Sequence, residues 1–478
     1  MKSLILKYFS YLYSMKKKII FLMLIFSLII TSGFSCGVGG TKSPATLEPI
    51  TLKYWRVWDG PDAFQEIIDK YQAIHPNIKI EYRKLRYEEY ERELLEAWAE
   101  ERGPDIFSIH NTWVKGYVPK IIPLPESTKM TYQFQKGTVK KEIVTETRTI
   151  KSMGLGEIKN NFLDVVAGDV VIKSQDPKTK IIKEEIYGLP LSVDTLALYY
   201  NKDLFNNAGI PNPPTLWDRN FQQSVKKLTK QNMRGEIIQS GIAMGGSRNI
   251  ERFSDVLSIL MMQSGAQMMS GETVTFNIVP DLLKSQGLSP GIDALRFYTD
   301  FANPAKEVYS WNSGLDNSLE MFLQGNLAMM FGYSYHLPII KTRAPRLNFE
   351  ITRLPQVSAS SNLNFANYWV EVVSRSTRNP DAAWHFLQFV AKEENVKSYL
   401  NKTKKPTALK NLIEEQNSDL EIGVFAKQLL TAKSWYKGKD SNAAELIMAD
   451  MIDGVVLEGM EIGDALNLSA RRIQQTIK

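Results

Sequence analysis

Apolar and polar residues alternate over positions 51–55, the pattern of a half-buried strand, and a turn, Arg56-Val57-Trp58-Asp59-Gly60-Pro61, follows. Phe64, Ile67, Ile68, Tyr71 and Ile74 then recur at helical spacing, and His75-Pro76-Asn77 ends that helix before a strand over 78–82. A second helix carries Tyr87, Tyr90, Leu94 and Trp98 on one face, stops at Gly103-Pro104, and leads into an apolar strand at 106–109. Strands and helices in this alternation predict a mostly parallel sheet covered by helices, with right-handed crossovers. Further on, the continuous apolar run at 327–331 and the stretch NYWVEVVS at 367–374 read as strands buried on both faces. Asn379-Pro380-Asp381 caps and opens a helix bearing Trp384, Leu387 and Val390, and beyond Thr407 the chain reads as helical, with Leu466, Ile473 and Ile477 facing inward.

Residues 187–218, YGLPLSVDTLALYYNKDLFNNAGIPNPPTLWD, join these patterns. A Gly-Pro turn precedes a strand over 195–200, an Asn-started helical turn is closed by Gly209, and a Pro-rich joint ends at Thr215, placed to cap the next helix with Asp218 answering it. This is a hinge-like joint between two bodies. Residues 127–160 interrupt the alternation with a Lys-, Thr- and Glu-rich run, read as an insertion that forms an extra hairpin or a lid.

A chain of 478 residues with 44% hydrophobic content can bury a large core divided over more than one lobe. Lys2, Lys7, Lys16, Lys17 and Lys18 precede the apolar run 19–30, which is too short to span a bilayer and has the profile of an export signal. Five of the positive charges in the net +6 are those lysines, and no acid stands in residues 1–35, so the remainder carries only +1. A nearly neutral body excludes nucleic acid as the expected partner. Cys36 is the single cysteine, which rules out an intramolecular disulfide or a cysteine-based metal cage. Residues 37–49, rich in Gly, Ser, Thr and Pro, form a tether.

The 187–218 stretch resembles the YGLP, LYYNKDLF, AGI and PP-x-W signature of the family 1 extracellular solute-binding proteins, the substrate receptors of ABC importers. The resemblance extends to HPNIKI, GPDIFSI, the segment FLQGNLAMMFGYSY and the NPDAAWHFLQF helix. It implies a two-lobed α/β fold of the periplasmic-binding-protein type (type II), with discontinuous lobes joined by a hinge. On this reading residues 50–193 and 326–355 build the N-terminal lobe and residues 194–325 and 356–478 the C-terminal lobe, with crossings near Asp194 and near Tyr333. It implies a carbohydrate ligand, an ABC permease as partner, a monomer without metal or cofactor, and a lipid-anchored extracytoplasmic location. Cys36, just after the apolar run, resembles the lipidated cysteine of bacterial lipoproteins, although Gly33 stands where a leucine is usual.

Ligand sites in open α/β sheets form beyond the carboxyl ends of the strands, where this chain carries Trp58 and Asp59, Asn111 and Trp113, and Asp194. Sugar binding needs flat apolar faces with hydroxyl partners beside them, so Trp369 and Trp435 join the candidates. Tyr333 falls where the resembled family often has a ligand-facing aromatic. Asp59 is placed either to meet a ligand or to cap the helix after it. Glu371 lies between apolar strand neighbours, so it must meet a cation, a ligand hydroxyl or water. An extracellular carbohydrate-active enzyme is one alternative, and it would have to use Asp59 and Glu371 as its carboxylate pair; the same receptor class with a non-sugar solute is the other. His75, His110, His336 and His385 lack metal-ligand spacing.

Overall fold

In the computed structural model, which describes residues 47–136, 142–175 and 179–477, Ile50–Arg56 runs parallel to both Ile78–Lys84 and Ile106–His110. The helices Gln65–Ile74 and Tyr87–Ala99 bury Ile67, Ile68 and Tyr71, and Tyr90, Leu94 and Ala97, the faces that their spacing predicts. Trp369–Ser374 joins antiparallel to Ile106–His110, with Glu371 opposite Ser108, and Ile121–Ile122 closes the far edge of the five-stranded sheet. The Gly188 turn lies against this inserted strand: a Cβ there would stand 2.3 Å from Val370 Cγ1 and 2.8 Å from the Glu371 carbonyl oxygen. Only glycine permits that approach. The leader, Cys36, residues 37–46 of the expected tether and residues 137–141 of the insertion lie outside the described residues.

A second sheet sets Ala197–Asn201 between Met329–Gly332 and Phe349–Arg353, all antiparallel, with Leu198 opposite both Phe331 and Thr352. The apolar helix Phe253–Gln263 is buried around most of its circumference behind it. The Asn201 side chain caps the helix Lys202–Asn207 by accepting from the amides of Asp203 and Leu204. The next cap is Asp218, whose carboxylate accepts from the Phe221 amide at 3.0 Å, and not Thr215, whose carbonyl is taken by the Gln356 amide. Asp218 adjoins the first helical residue, where a side-chain acceptor reaches the orphan amides.

These two sheets belong to separate hydrophobic cores, one drawn from residues 52–193 and 366–432, the other from residues 196–365 and 435–477, apart from Phe425, which packs into the second. This corrects the lobe boundaries. Residues 326–355 belong to the second lobe because Met329–Gly332 and Phe349–Arg353 pair with Ala197–Asn201, and residues 366–432 belong largely to the first because Trp369–Ser374 pairs with Ile106–His110. An apolar run announces a buried strand without saying which sheet receives it. Tyr333 lies within the second core and marks no crossing. The chain passes between lobes through Asp194–Thr195, Asn364–Asn367 and Ala432–Lys433, which pair side by side as a three-stranded hinge sheet.

Residues 127–160 hold the hairpin Ser127–Lys136 with Glu142–Lys151, followed by the helix Leu155–Asn161. Near its base Met130 is buried in the first core, and the Tyr132 ring sits 4.9 Å from His75. His75 caps the helix Gln65–Ile74 as expected, and His385 is half-buried with Nδ1 3.0 Å from the Tyr71 hydroxyl.

Candidate functional site

A cavity of about 940 Å³ lies between the two lobes, below the hinge strands, and its walls are aromatic. Trp58 follows the end of the first strand and stacks on Tyr87 at 5.4 Å between centroids and 20° between planes. Trp369, which begins the inserted strand, meets Trp58, Tyr87, His110 and Trp113 edge-on at 5.6 to 6.2 Å. From the second lobe Tyr335 presents its ring parallel to Trp58, 6° between planes and 6.5 Å between centroids, with Tyr333 behind it at 5.9 Å. Trp58 is 51% exposed and Tyr335 41%, large values for aromatic rings of this size, so their faces are available to a guest.

Beneath the first-lobe wall a buried ion cluster is built on Arg56. Its guanidinium contacts Asp59 Oδ2 and Glu371 Oε1, each at 2.9 Å. Tyr54 donates to the other Glu371 oxygen at 2.7 Å, while Tyr399 and Lys405 donate to Asp59 at 2.8 and 2.7 Å. Burial would raise the Asp59 pKa, but Arg56 and Lys405 outweigh it and hold the group at about 2. Burial dominates at Glu371 and raises its pKa in spite of Arg56. Arg56 went unnoticed in the sequence because the strand reads as ending at Trp55 and Arg56 as the first residue of the turn, whereas the strand runs through Arg56; its position opposite Glu371 depends on the strand insertion.

On the second-lobe wall Arg252 occupies the left-handed region (φ 58°, ψ 31°) at the start of the helix Phe253–Gln263. Such backbone costs a non-glycine residue on the order of 1–3 kcal/mol. The strained turn lets the guanidinium grip Asp255 with two hydrogen bonds, at 2.8 and 3.0 Å, and Tyr333 donates to the same carboxylate at 2.7 Å. Burial opposes the charge on Arg252, yet the Asp255 carboxylate outweighs it and raises the pKa well above the usual arginine range. Glu445, also on this wall, is raised by burial and only partly restored by Arg252. At the hinge, Asp194 Oδ2 accepts from the Ser334 amide at 2.9 Å and the Ser334 hydroxyl at 2.6 Å. Burial pushes its carboxyl up to about 7, against these hydrogen bonds. His110 and His336 are held neutral by burial, each at about 4.

The model of the bacterial extracellular solute-binding protein family matches residues 58–397. The chain belongs to that family. Membership places the protein outside the cytoplasm, in a family of solute-binding proteins. Among relatives, a putative binding protein of Brucella abortus is 22% identical over 350 residues, covering 72% of each chain. The maltodextrin-binding protein of Bacillus subtilis is 24% identical over 338 residues, 67% of this chain and 75% of the relative. Among solved structures, the cyclic α-maltosyl-1,6-maltose binding protein of Arthrobacter globiformis aligns with a TM-score of 0.68 at 16% identity, covering 90% of this chain and 99% of that one. A cyclo/maltodextrin-binding protein complexed with maltotetraose aligns at 0.67 and 15%, covering 91% and 99%. At these identities the structural likeness concerns the fold, which is the two-lobed α/β architecture expected.

Within this family member, Trp58, Asp59, Trp113, Asp194, Trp369 and Trp435 line the cavity. The Trp435 indole donates to Ser258 at 2.9 Å. Asp59 makes no cap, since Gly60 precedes the short helix Pro61–Ala63, and its oxygens serve the ion cluster. Three expectations are corrected. Asn111 points away from the cavity and donates to Asp169 at 2.9 Å. Tyr333 is fully buried, and the cavity aromatic is Tyr335, two residues on. Glu371 is fully buried too and meets a cation, Arg56, in place of a ligand. The insertion supplies the hairpin that is one of its two expected forms. Tyr87, Arg252, Tyr335 and Glu445 are cavity residues that the sequence reading missed; the exposed second tyrosine in GYSY was the one visible signal, and strand alternation alone cannot separate it from Tyr333.

Proposed function

We propose that the chain is the receptor of an ABC importer for a neutral carbohydrate, a mono- or oligosaccharide, bound between the lobes and delivered to a membrane permease. The observation that carries this reading is the pair of parallel aromatic faces, Trp58 from one lobe and Tyr335 from the other. Such faces match the C–H sides of a pyranose ring, and a cavity of about 940 Å³ lies within the range of about 300–1,000 Å³ that encloses small-molecule ligands. Neutrality follows from the walls: Arg56 and Lys405 are matched by Asp59 and Glu371, Arg252 by Asp255, and Lys341 by Glu421. A charged solute would have to compete with these partners. The maltodextrin-binding relative and the maltotetraose complex support an oligosaccharide as the ligand.

Trp58, Asp59, Trp113, Asp194, Trp369 and Trp435 contact the ligand on this reading, joined by Tyr335 and Arg252. The protein acts as a monomer, tethered by lipid on Cys36, and the lobes close over the sugar. The enzymatic alternative finds less support, because both of its carboxylates converge on one guanidinium and Glu371 is shut off from the cavity.

The test is a thermal-shift screen of the full-length chain in detergent against glucose, maltose, maltotriose, lactose, glycerol 3-phosphate and an amino acid, with chromatography of every hit. A ligand specific to the folded state adds about 2.7 kcal/mol of stability at a hundredfold excess over its Kd. A shift from an intact neutral sugar is expected. Cleavage of the sugar, or a shift only from the charged solutes, would sink the proposal.

A further inference from the structure

The third passage between the lobes changes partners within two successive residues. The Ser434 hydroxyl lies 2.6 and 2.8 Å from the two oxygens of Asp169, on the first-lobe helix Asp164–Val170, and donates its single proton to one of them at a time. The next side chain, Trp435, donates to Ser258 at 2.9 Å, on the second-lobe helix Phe253–Gln263. Asp169 is 6% exposed, and it accepts further bonds from the Tyr368 hydroxyl at 2.7 Å and Asn111 Nδ2 at 2.9 Å, and pairs with Lys437. Tyr368 stands where the second passage enters the first lobe, and its carbonyl also accepts from the Asn111 amide at 3.0 Å. One buried carboxylate therefore ties the ends of two hinge strands and the loop after Ile106–His110 to the first lobe. A buried carboxylate stripped of its donors is strongly unfavourable, so these groups are held together wherever Asp169 is folded in place.

We propose that Asp169 is a positioning residue for lobe movement: it locks Ser434, Lys437 and Tyr368 to the first lobe, so bending of the third passage is confined to the few residues around this anchor, where the Trp435 indole is already bonded to the second lobe. The proposal rests on the receptor reading above, in which the lobes close over a ligand. Bending confined to a few residues gives a narrow range of lobe angles, because each lobe stays rigid on its own side of the pivot. Losing the carboxylate frees the third passage on its first-lobe side, and a longer stretch of backbone then shares the motion.

The experiment measures the distance between spin labels at Glu88→Cys, on the first lobe, and Glu458→Cys, on the second, in the full-length chain carrying Cys36→Ser in detergent, without sugar. Asp169→Ala is expected to at least double the width of the distance distribution; Asp169→Asn, which keeps an acceptor and loses the charge, falls between it and the parent. Ser434→Ala and Tyr368→Phe each remove one donor and carry the same test where Asp169→Ala fails to fold, with broadening expected. Distributions of Asp169→Asn, Ser434→Ala and Tyr368→Phe that superimpose on the parent, even with lowered Tm, would make the role merely structural and overturn the proposal. A parent distance that none of the sugars in the screen shifts counts against the receptor reading instead, so the two failures are distinguishable.

Discussion

The ring planes of Trp58 and Tyr335 deviate from parallel by only 6° although they belong to different lobes, and their centroids stand 6.5 Å apart. Each ring is backed on its own side, Trp58 by Tyr87 and Tyr335 by Tyr333, so neither orientation depends on the other. Because both faces are substantially exposed, replacing either residue removes ligand contact with little loss of packing. Trp58→Ala and Tyr335→Ala are each expected to weaken sugar binding at least tenfold, about 1.4 kcal/mol, while Tm stays within a few degrees of the parent. Titration calorimetry with the sugar that emerges from the screen checks this; unchanged Kd in both variants would remove the aromatic pair from the site.

The Arg56 cluster predicts the opposite balance. Glu371→Ala leaves a buried guanidinium short of one of its two carboxylates, and breaking a buried pair from one side costs about 3–5 kcal/mol. Urea unfolding is expected to show that loss. A change under 1 kcal/mol would mean that Asp59 alone neutralises Arg56.

Three buried histidines are expected to withdraw stability as pH drops from about 6.5 to 4. His110, His336 and His385 are each depressed by burial to about 4, His385 also by its neighbour His75. In the unfolded chain histidine protonates near 6.5, so below that pH the unfolded state binds protons that the folded state refuses. Their contribution is thus complete above 6.5 and is lost as pH falls towards 4. Asp194, raised by burial to about 7, opposes them over the same window because the folded state binds its proton first, so the check is differential: calorimetric scans should show Tm of the parent falling with pH relative to His336→Asn, and identical pH slopes in the two contradict the assignment.

Gly188→Ala tests the contact between the YGLP turn and the inserted strand. A methyl group placed 2.3 Å from Val370 Cγ1 must push the turn off Glu371, with which Leu189 exchanges two backbone hydrogen bonds. Overpacking of this kind costs about 1–3 kcal/mol. Chemical denaturation measures it, and a neutral result would show that the strand yields freely.

Where the physics is local, the sequence alone was sufficient. The buried faces of Gln65–Ile74 and Tyr87–Ala99 follow from apolar spacing, the Asn201 cap from a side chain that reaches amides two and three residues on, and the family from motifs spread along the chain. Tertiary structure decided everything that depends on which distant segments meet. Trp369–Ser374 and Met329–Gly332 are both apolar strands, and only the free edges offered by Ile106–His110 and Ala197–Asn201 assign them to opposite lobes. The same long-range pairing set Arg56 against Glu371, turned Tyr335 and not Tyr333 to the cavity, and brought Asn111, Tyr368 and Ser434 to Asp169. Hydrogen bonds and ion pairs between residues hundreds of positions apart leave no periodic trace in the chain, because each partner, read alone, is an ordinary polar residue in a strand or loop.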